Sequence, residues 1–130
     1  MSAAVQTEHG VYTVDVDEEL VLELDAGARL DVTPVESGLP LVVAAAAAGA
    51  TVIAVVDRRP PLAISNDAGS TWREAGGGLP PGRAVAIADE DPDLVLYAAR
   101  NRLHLSRDGG RFWSALAVEL PEIDAVAWLP

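Results

Sequence analysis

The sequence has no cysteine and no lysine, and its 130 residues include one phenylalanine, one methionine, two tyrosines and three tryptophans. Without cysteine there is neither a disulfide framework nor a zinc–thiolate site. Basic residues are scarce: nine arginines stand against twenty Asp and Glu, for a formal net charge of −11. A chain of that sign repels nucleic-acid phosphate, so no nucleic acid is expected as a partner. Long hydrophobic runs are missing too. The strongest, Leu41-Val42-Val43-Ala44-Ala45-Ala46-Ala47-Ala48, is too short to span a bilayer and is soon followed by Asp57-Arg58-Arg59, so no membrane partner is expected. The first residues, Met1-Ser2-Ala3-Ala4-Val5-Gln6-Thr7-Glu8, lack the basic and apolar regions of a secretory signal, which points to the cytoplasm.

Residues suited to chemistry are equally thin. His9 and His104 are the only histidines, and no second ligand stands at metal-site spacing from either. No serine sits in a G-x-S-x-G elbow, so Ser65 and Ser106 read as turn residues. Glu36, Asp89, Glu90, Asp91 and Asp93 read as solvated loop carboxylates, and Tyr12 and Tyr97 as strand residues. The expectation is a non-enzyme: no catalytic residue, no metal and no cofactor.

What the chain does have is a repeat. Ser65-Asn66-Asp67-Ala68-Gly69-Ser70-Thr71-Trp72 and Ser106-Arg107-Asp108-Gly109-Gly110-Arg111-Phe112-Trp113 both read S-x-D-x-G-x-x-W, 41 positions apart. A period of that length marks blade-by-blade β-propellers. The pattern has its own physical reading as a hairpin turn. Asp accepts hydrogen bonds from backbone N–H groups just ahead of it, Gly takes a positive φ freely, and the Ser hydroxyl braces the same turn. Trp72 and Trp113 then lead into the return strand, where a large ring packs over the turn.

These residues resemble the Asp-box, or bacterial neuraminidase repeat, and both copies match it fully. The resemblance implies a hairpin joining the third and fourth strands of a four-stranded blade. It also implies a structural role for Ser65, Asp67, Gly69, Trp72, Ser106, Asp108, Gly110 and Trp113. Families with this box include sialidases, endo-acting glycan hydrolases, sortilin-type receptors and photosystem assembly factors. The sialidase Arg-Ile-Pro motif is absent, since Asp57-Arg58-Arg59-Pro60-Pro61 does not match it.

Short apolar runs broken by Pro, Gly and Asp extend the repeat outwards, as an all-β chain requires. Val85–Ala88, Leu94–Ala98 and Arg102–Leu105 read as three strands before the second box, with Thr51–Val56 and Leu62–Ile64 at matching places before the first. Thr13-Val14-Asp15-Val16-Asp17-Glu18-Glu19-Leu20 reads as a worn third copy, with Thr13 and Asp15 in the Ser and Asp positions. That alignment sets Ala4–Tyr12 over Tyr97–Leu105. The expected organisation is one unit over 1–130: a partial blade over 1–24, whole blades over about 29–79 and 83–120, and a closing strand within 124–130. The innermost strand of the middle blade is either Leu30–Val35 or Leu41–Ala44. The alanine run is expected as a buried strand rather than a helix.

Three blades fall short of the four to eight that close a propeller. Two copies supply six, so a homodimer is expected, with the Asp124–Trp128 strand of each completing the first blade of the other. A homotrimer ranks second. The expected role is a self-assembling, protein- or peptide-binding scaffold, with a lectin-like glycan-binding propeller as the alternative and a sialidase-like hydrolase behind it. Arg58 and Arg59 form the local basic cluster, and Arg100 and Arg102 sit at the matching place of the next blade. These four are the candidate ligand-binding residues, suited to bidentate contact with an anionic group.

Overall fold

The computed structural model describes residues 1–32 and 34–130. Twelve strands form in chain order: β1 Ser2–Thr7, β2 Gly10–Asp15, β3 Leu20–Ala26, β4 Val42–Ala48, β5 Thr51–Val56, β6 Leu62–Ser65, β7 Arg73–Ala75, β8 Ala84–Ile87, β9 Val95–Ala99, β10 Arg102–Ser106, β11 Ser114–Ala115 and β12 Ile123–Trp128. They make three four-stranded sheets whose hydrogen-bonded neighbours are all antiparallel. Sheet I has the order β12-β1-β2-β3, sheet II β4-β5-β6-β7 and sheet III β8-β9-β10-β11. The all-β class and the blade-like four-stranded sheets are as the repeat predicts.

Strand composition explains the packing. In β8 and β9 almost every residue is apolar, because sheet III is buried on both faces. Ala84, Ala86, Leu96 and Ala98 join Leu103 and Leu105 in a cluster with Ala3, Val5, Val14 and Val126 of sheet I. The opposite face, with Val85, Ile87, Val95 and Tyr97, packs on Ile53, Val55, Leu62 and Ile64 of sheet II. Strands β4 and β12 both pack against β8, so the sheets run II–III–I in an arc with sheet III in the middle. The indole of Trp128 secures the III–I junction by donating to the Ala86 carbonyl at 3.2 Å.

Three expectations change here. First, β12 pairs with β1 of its own chain, setting Ala4 opposite Ala127 and Val5 opposite Val126. The strand expected to cross into a second copy closes its sheet in cis instead. Second, the middle blade's inner strand is β4, which begins just after Leu41. The described residues of Leu30–Val35 form no strand, and Thr33 lies outside the described residues. The alanine run is a strand as expected, yet it is not buried: Ala47 is exposed and Val43 is 51% exposed. It is the innermost strand of a sheet at the end of the arc, with sheet III on one side only.

Third, the worn repeat is displaced. The β1–β2 turn pairs Thr7 with Gly10 and the β9–β10 turn pairs Ala99 with Arg102, so Tyr12 corresponds to His104 rather than Leu105. A one-residue slip exchanges the two faces of a strand, and the corrected register puts Val5 and Val14 on the core side. Strand β2 is also one residue longer than β10, with a register irregularity between Thr13 and Val14. The turn therefore starts at Asp15. Its Oδ1 accepts from the N–H groups of Asp17 and Glu18, both at 3.0 Å, and Glu19 takes a positive φ of 54°. Thr13 lies inside β2, opposite Glu23, away from the turn.

Candidate functional site

The two full repeats fold into matching turns. Ser65 Oγ donates to Asp67 Oδ1 at 2.7 Å and accepts from the N–H of Gly69 at 2.8 Å. Asp67 in turn accepts from the Thr71 N–H at 2.8 Å and the Thr71 hydroxyl at 2.6 Å. In the second turn Ser106 Oγ binds Asp108 and the Gly110 N–H, both at 2.8 Å, and Asp108 Oδ1 accepts from the N–H groups of Arg111 and Phe112. Trp72 and Trp113 each donate an indole N–H to the carbonyl of the glycine three residues before, at 3.1 and 3.0 Å. The Ser hydroxyl, the Asp carboxylate and the Trp indole N–H of each motif all bond within the turn. The aspartates are held in the ionised form by their donors, and although each borders a shallow surface pocket, its hydrogen bonds close within its own turn.

The donors leave a titration signature. The Thr71 hydroxyl and N–H, then Ser65, pull the Asp67 carboxyl down to about 2 from its ordinary 3.8, and the Phe112 N–H and Ser106 lower Asp108 likewise. A depressed folded pKa stabilises the fold above the unfolded value, and that contribution is lost as pH falls through the folded one. The urea midpoint of the wild-type protein is therefore expected to decline between about pH 4 and pH 2, and Asp67→Asn to flatten part of that decline. A set of urea titrations across this window checks it; identical slopes in both proteins would refute it.

The opposite ends of β6 and β10 carry a different feature. A cleft of about 870 Å³ opens between the β5–β6 loop, the connection from β7 to β8, and the β9–β10 turn. Arg59, Arg100, Asn101 and Arg102 line it with His104, and its remaining wall is Pro60, Pro61, Gly77, Gly78, Leu79, Pro80, Pro81 and Ala99. Three of the four expected binding arginines thus converge. Arg58, exposed on the same loop as Arg59, does not line the cleft.

The cleft exists because of what the β7–β8 connection lacks. At the III–I junction the equivalent stretch, between β11 and β12, buries Leu116, Val118 and Leu120. It also closes backbone bonds from Leu116 N–H to the Leu103 carbonyl and from Leu120 N–H to the Asn101 carbonyl. The β7–β8 connection reads Gly76-Gly77-Gly78-Leu79-Pro80-Pro81-Gly82. Glycines bring no side chain to fill the gap, and prolines have no N–H to donate. The buried Tyr97 holds this wall in place, donating its hydroxyl to the Pro80 carbonyl at 2.6 Å, and burial raises its phenol to about 12.

Electrostatically the cleft is an island. Among the described residues no Asp or Glu lines it, although the chain carries net charge −11. Arg102 is anchored by the Leu116 carbonyl at 3.2 Å and by Glu119 at 3.4 Å. Among the described residues neither Arg59 nor Arg100 has a carboxylate within 4.0 Å, whereas Arg83 and Arg107 elsewhere do. Arg100 takes a positive φ of 57° at the tip of its two-residue turn. The ring of His104 lies 6.0 Å from that of Tyr97, and burial, then the Arg102 charge, hold its imidazole below the ordinary range. It presents a neutral ring at neutral pH beside the fixed guanidinium charges. His9 is a surface residue on the β1–β2 turn.

Sequence reasoning found the arginines through their recurrence at matching turns. It missed the Gly/Pro wall and His104, although the run from Gly76 to Gly82 carries the signal of a connection unable to fill the gap beneath it. Compared with known protein families and with curated proteins, the chain matches none.

Proposed function

We propose that this chain is a non-catalytic binding module of the Asp-box β-propeller type, and that it takes a carboxylate-bearing segment of a protein partner in the arginine cleft. The observation that carries the reading is the convergence of three arginines on a cleft whose described lining has no carboxylate, Arg102 alone being paired, with Glu119 beside it, on a chain of net charge −11. Guanidinium groups bind carboxylates through paired, charge-assisted hydrogen bonds. The surrounding acidic surface repels most anions at a distance, so selectivity falls to ligands able to reach into the cleft. At about 870 Å³ the cleft suits several residues of an extended peptide better than one small ion. Paired prolines on two walls supply a rigid apolar flank. A glycan platform would call for exposed aromatic rings, and the only aromatic ring among the described residues lining this cleft is His104.

The test is calorimetric titration with a glutamate-rich decapeptide and its glutamine counterpart. The acidic peptide is expected to bind and the neutral one not, with affinity falling as salt rises. Arg59→Ala and Arg100→Ala are each expected to weaken binding by about tenfold, the worth of one hydrogen bond to a charged group. Equal binding of the two peptides, or indifference to both substitutions, would overturn the reading.

A further inference from the structure

We infer that the open side of the arc, between sheets I and II, is the docking surface for a second copy of this chain, and that two arcs close face to face without exchanging strands. Sheet III has a neighbour on each side and a hydrophobic cluster at each junction. Sheets I and II each have one such junction, and among the described residues no cluster joins them to one another.

Exposed apolar side chains are concentrated on the two end sheets and the connection between them, with Leu20, opposite Asp15, on the open face of sheet I and Leu24, opposite Tyr12, on the face toward sheet III. Leu20, Leu22 and Leu24 of β3, Val32 of the connection that follows, and Leu41 and Val43 at the start of β4 are all exposed. Sheet III, flanked on both sides, leaves only Phe112 in this state among its described residues. Strand β3 is exposed along all seven residues, while the other two outer strands, β7 and β11, have three and two.

The occupant follows from the repeat. The II–III and III–I junctions are two instances of one packing, each joining the same pair of sheet faces in the same order. A second copy offers to sheet I the unused face of sheet II, the partner that the pattern puts next. Its own sheet I meets sheet II of the first copy in the same way, so one two-fold operation satisfies both open ends. Six blade-like sheets then lie within the four to eight that form closed rings. Because β12 already pairs with β1 in cis, this closure uses sheet faces and leaves each chain's hydrogen-bonded sheets intact.

Light scattering coupled to gel filtration tests this. The wild-type chain is expected to elute at twice its mass of 13.5 kDa at micromolar concentration. Leu22→Asp and Val43→Asp, at side chains 53% and 51% exposed within one chain, should each restore the single-chain mass with an unchanged far-ultraviolet spectrum. Phe112→Asp should stay dimeric. A wild-type monomer or trimer overturns the inference. So does a dimer that keeps its mass in both folded variants, as one built by exchange of β12 would.

Discussion

Gly82→Ala is expected to cost about 3 kcal/mol or more of folding stability, at the upper end of what overpacking a core produces. A Cβ on Gly82 would fall within the ring of Tyr97, against its Cζ, Cε1 and hydroxyl oxygen. Tyr97 cannot retreat. Its side chain is fully buried, packed among Ile53, Leu62, Val85 and Val95, and its ring meets that of Trp113 edge-on at 6.0 Å. Its hydroxyl is held by the Pro80 carbonyl two residues before the glycine. Either the ring moves and leaves a cavity at the II–III junction, or the backbone moves and breaks that hydrogen bond. Thermal and urea unfolding would read this as a fall in melting temperature of about 10 °C. A loss under about 1 kcal/mol would mean that the junction yields more readily than its packing implies. The same substitution opens the cleft wall, so peptide affinity should fall even in conditions where the variant stays folded.

The limits of the sequence reading have physical causes. Strands β5, β6, β8, β9, β10 and β12 were legible because each is a short apolar or alternating run with Gly, Pro or Asp close by, and because two repeats in one register reinforce each other. The first sheet was read one residue out. The worn copy has no Ser, Gly or Trp to anchor it, and Thr13-x-Asp15 imitates the Ser-x-Asp of the two full repeats. The actual cue was the turn at Glu8-His9, which equals the turn at Arg100-Asn101 only in the corrected register. That β12 would close in cis was not legible at all. Cis and trans closure make the same β12–β1 contacts, so strand sequence cannot distinguish them. What distinguishes them is whether the chain from β3 to β4 can reach sheet II from sheet I across the arc. The long stretch between Ala26 and Val42 is that connection.

The arginine site was half legible for a related reason. Recurrence at corresponding turns brought Arg59, Arg100 and Arg102 to one end of neighbouring sheets, and a repeat carries this kind of positional information well. Arg58 is adjacent to Arg59 but faces elsewhere, because the loop of Asp57–Pro61 is longer than the two-residue turn it was matched to. Whether a junction is filled or open depends on the connection crossing it. Leu116, Val118 and Leu120 fill one junction, while glycines and prolines leave the other open.

The twin glycines of the two repeats mark where sequence equivalence ends. Gly69 and Gly110 occupy the same motif position and the same backbone conformation, each with φ of 93°. A side chain there costs about 1–2 kcal/mol from left-handed strain alone. Their surroundings differ. A Cβ on Gly69 would meet nothing closer than Trp72 at 3.6 Å, an ordinary contact. On Gly110 it would stand 2.7 Å from Cδ1 of Ile64, a fully packed residue of the neighbouring sheet. The second repeat's turn is thus wedged against sheet II, whereas among the described residues the first has no neighbouring sheet on its corresponding side. Gly69→Ala is expected to lose about 1–2 kcal/mol and Gly110→Ala about 3 kcal/mol or more, the difference being the displacement of Ile64. Shortening Ile64 to valine removes the obstructing methyl, so in the Ile64→Val background the two glycine substitutions should cost nearly the same. Urea unfolding of the two single variants and the two doubles measures this coupling directly. Equal losses at the two glycines with Ile64 intact would show that the wedge carries no energy, and that the II–III junction is held by its apolar strands alone.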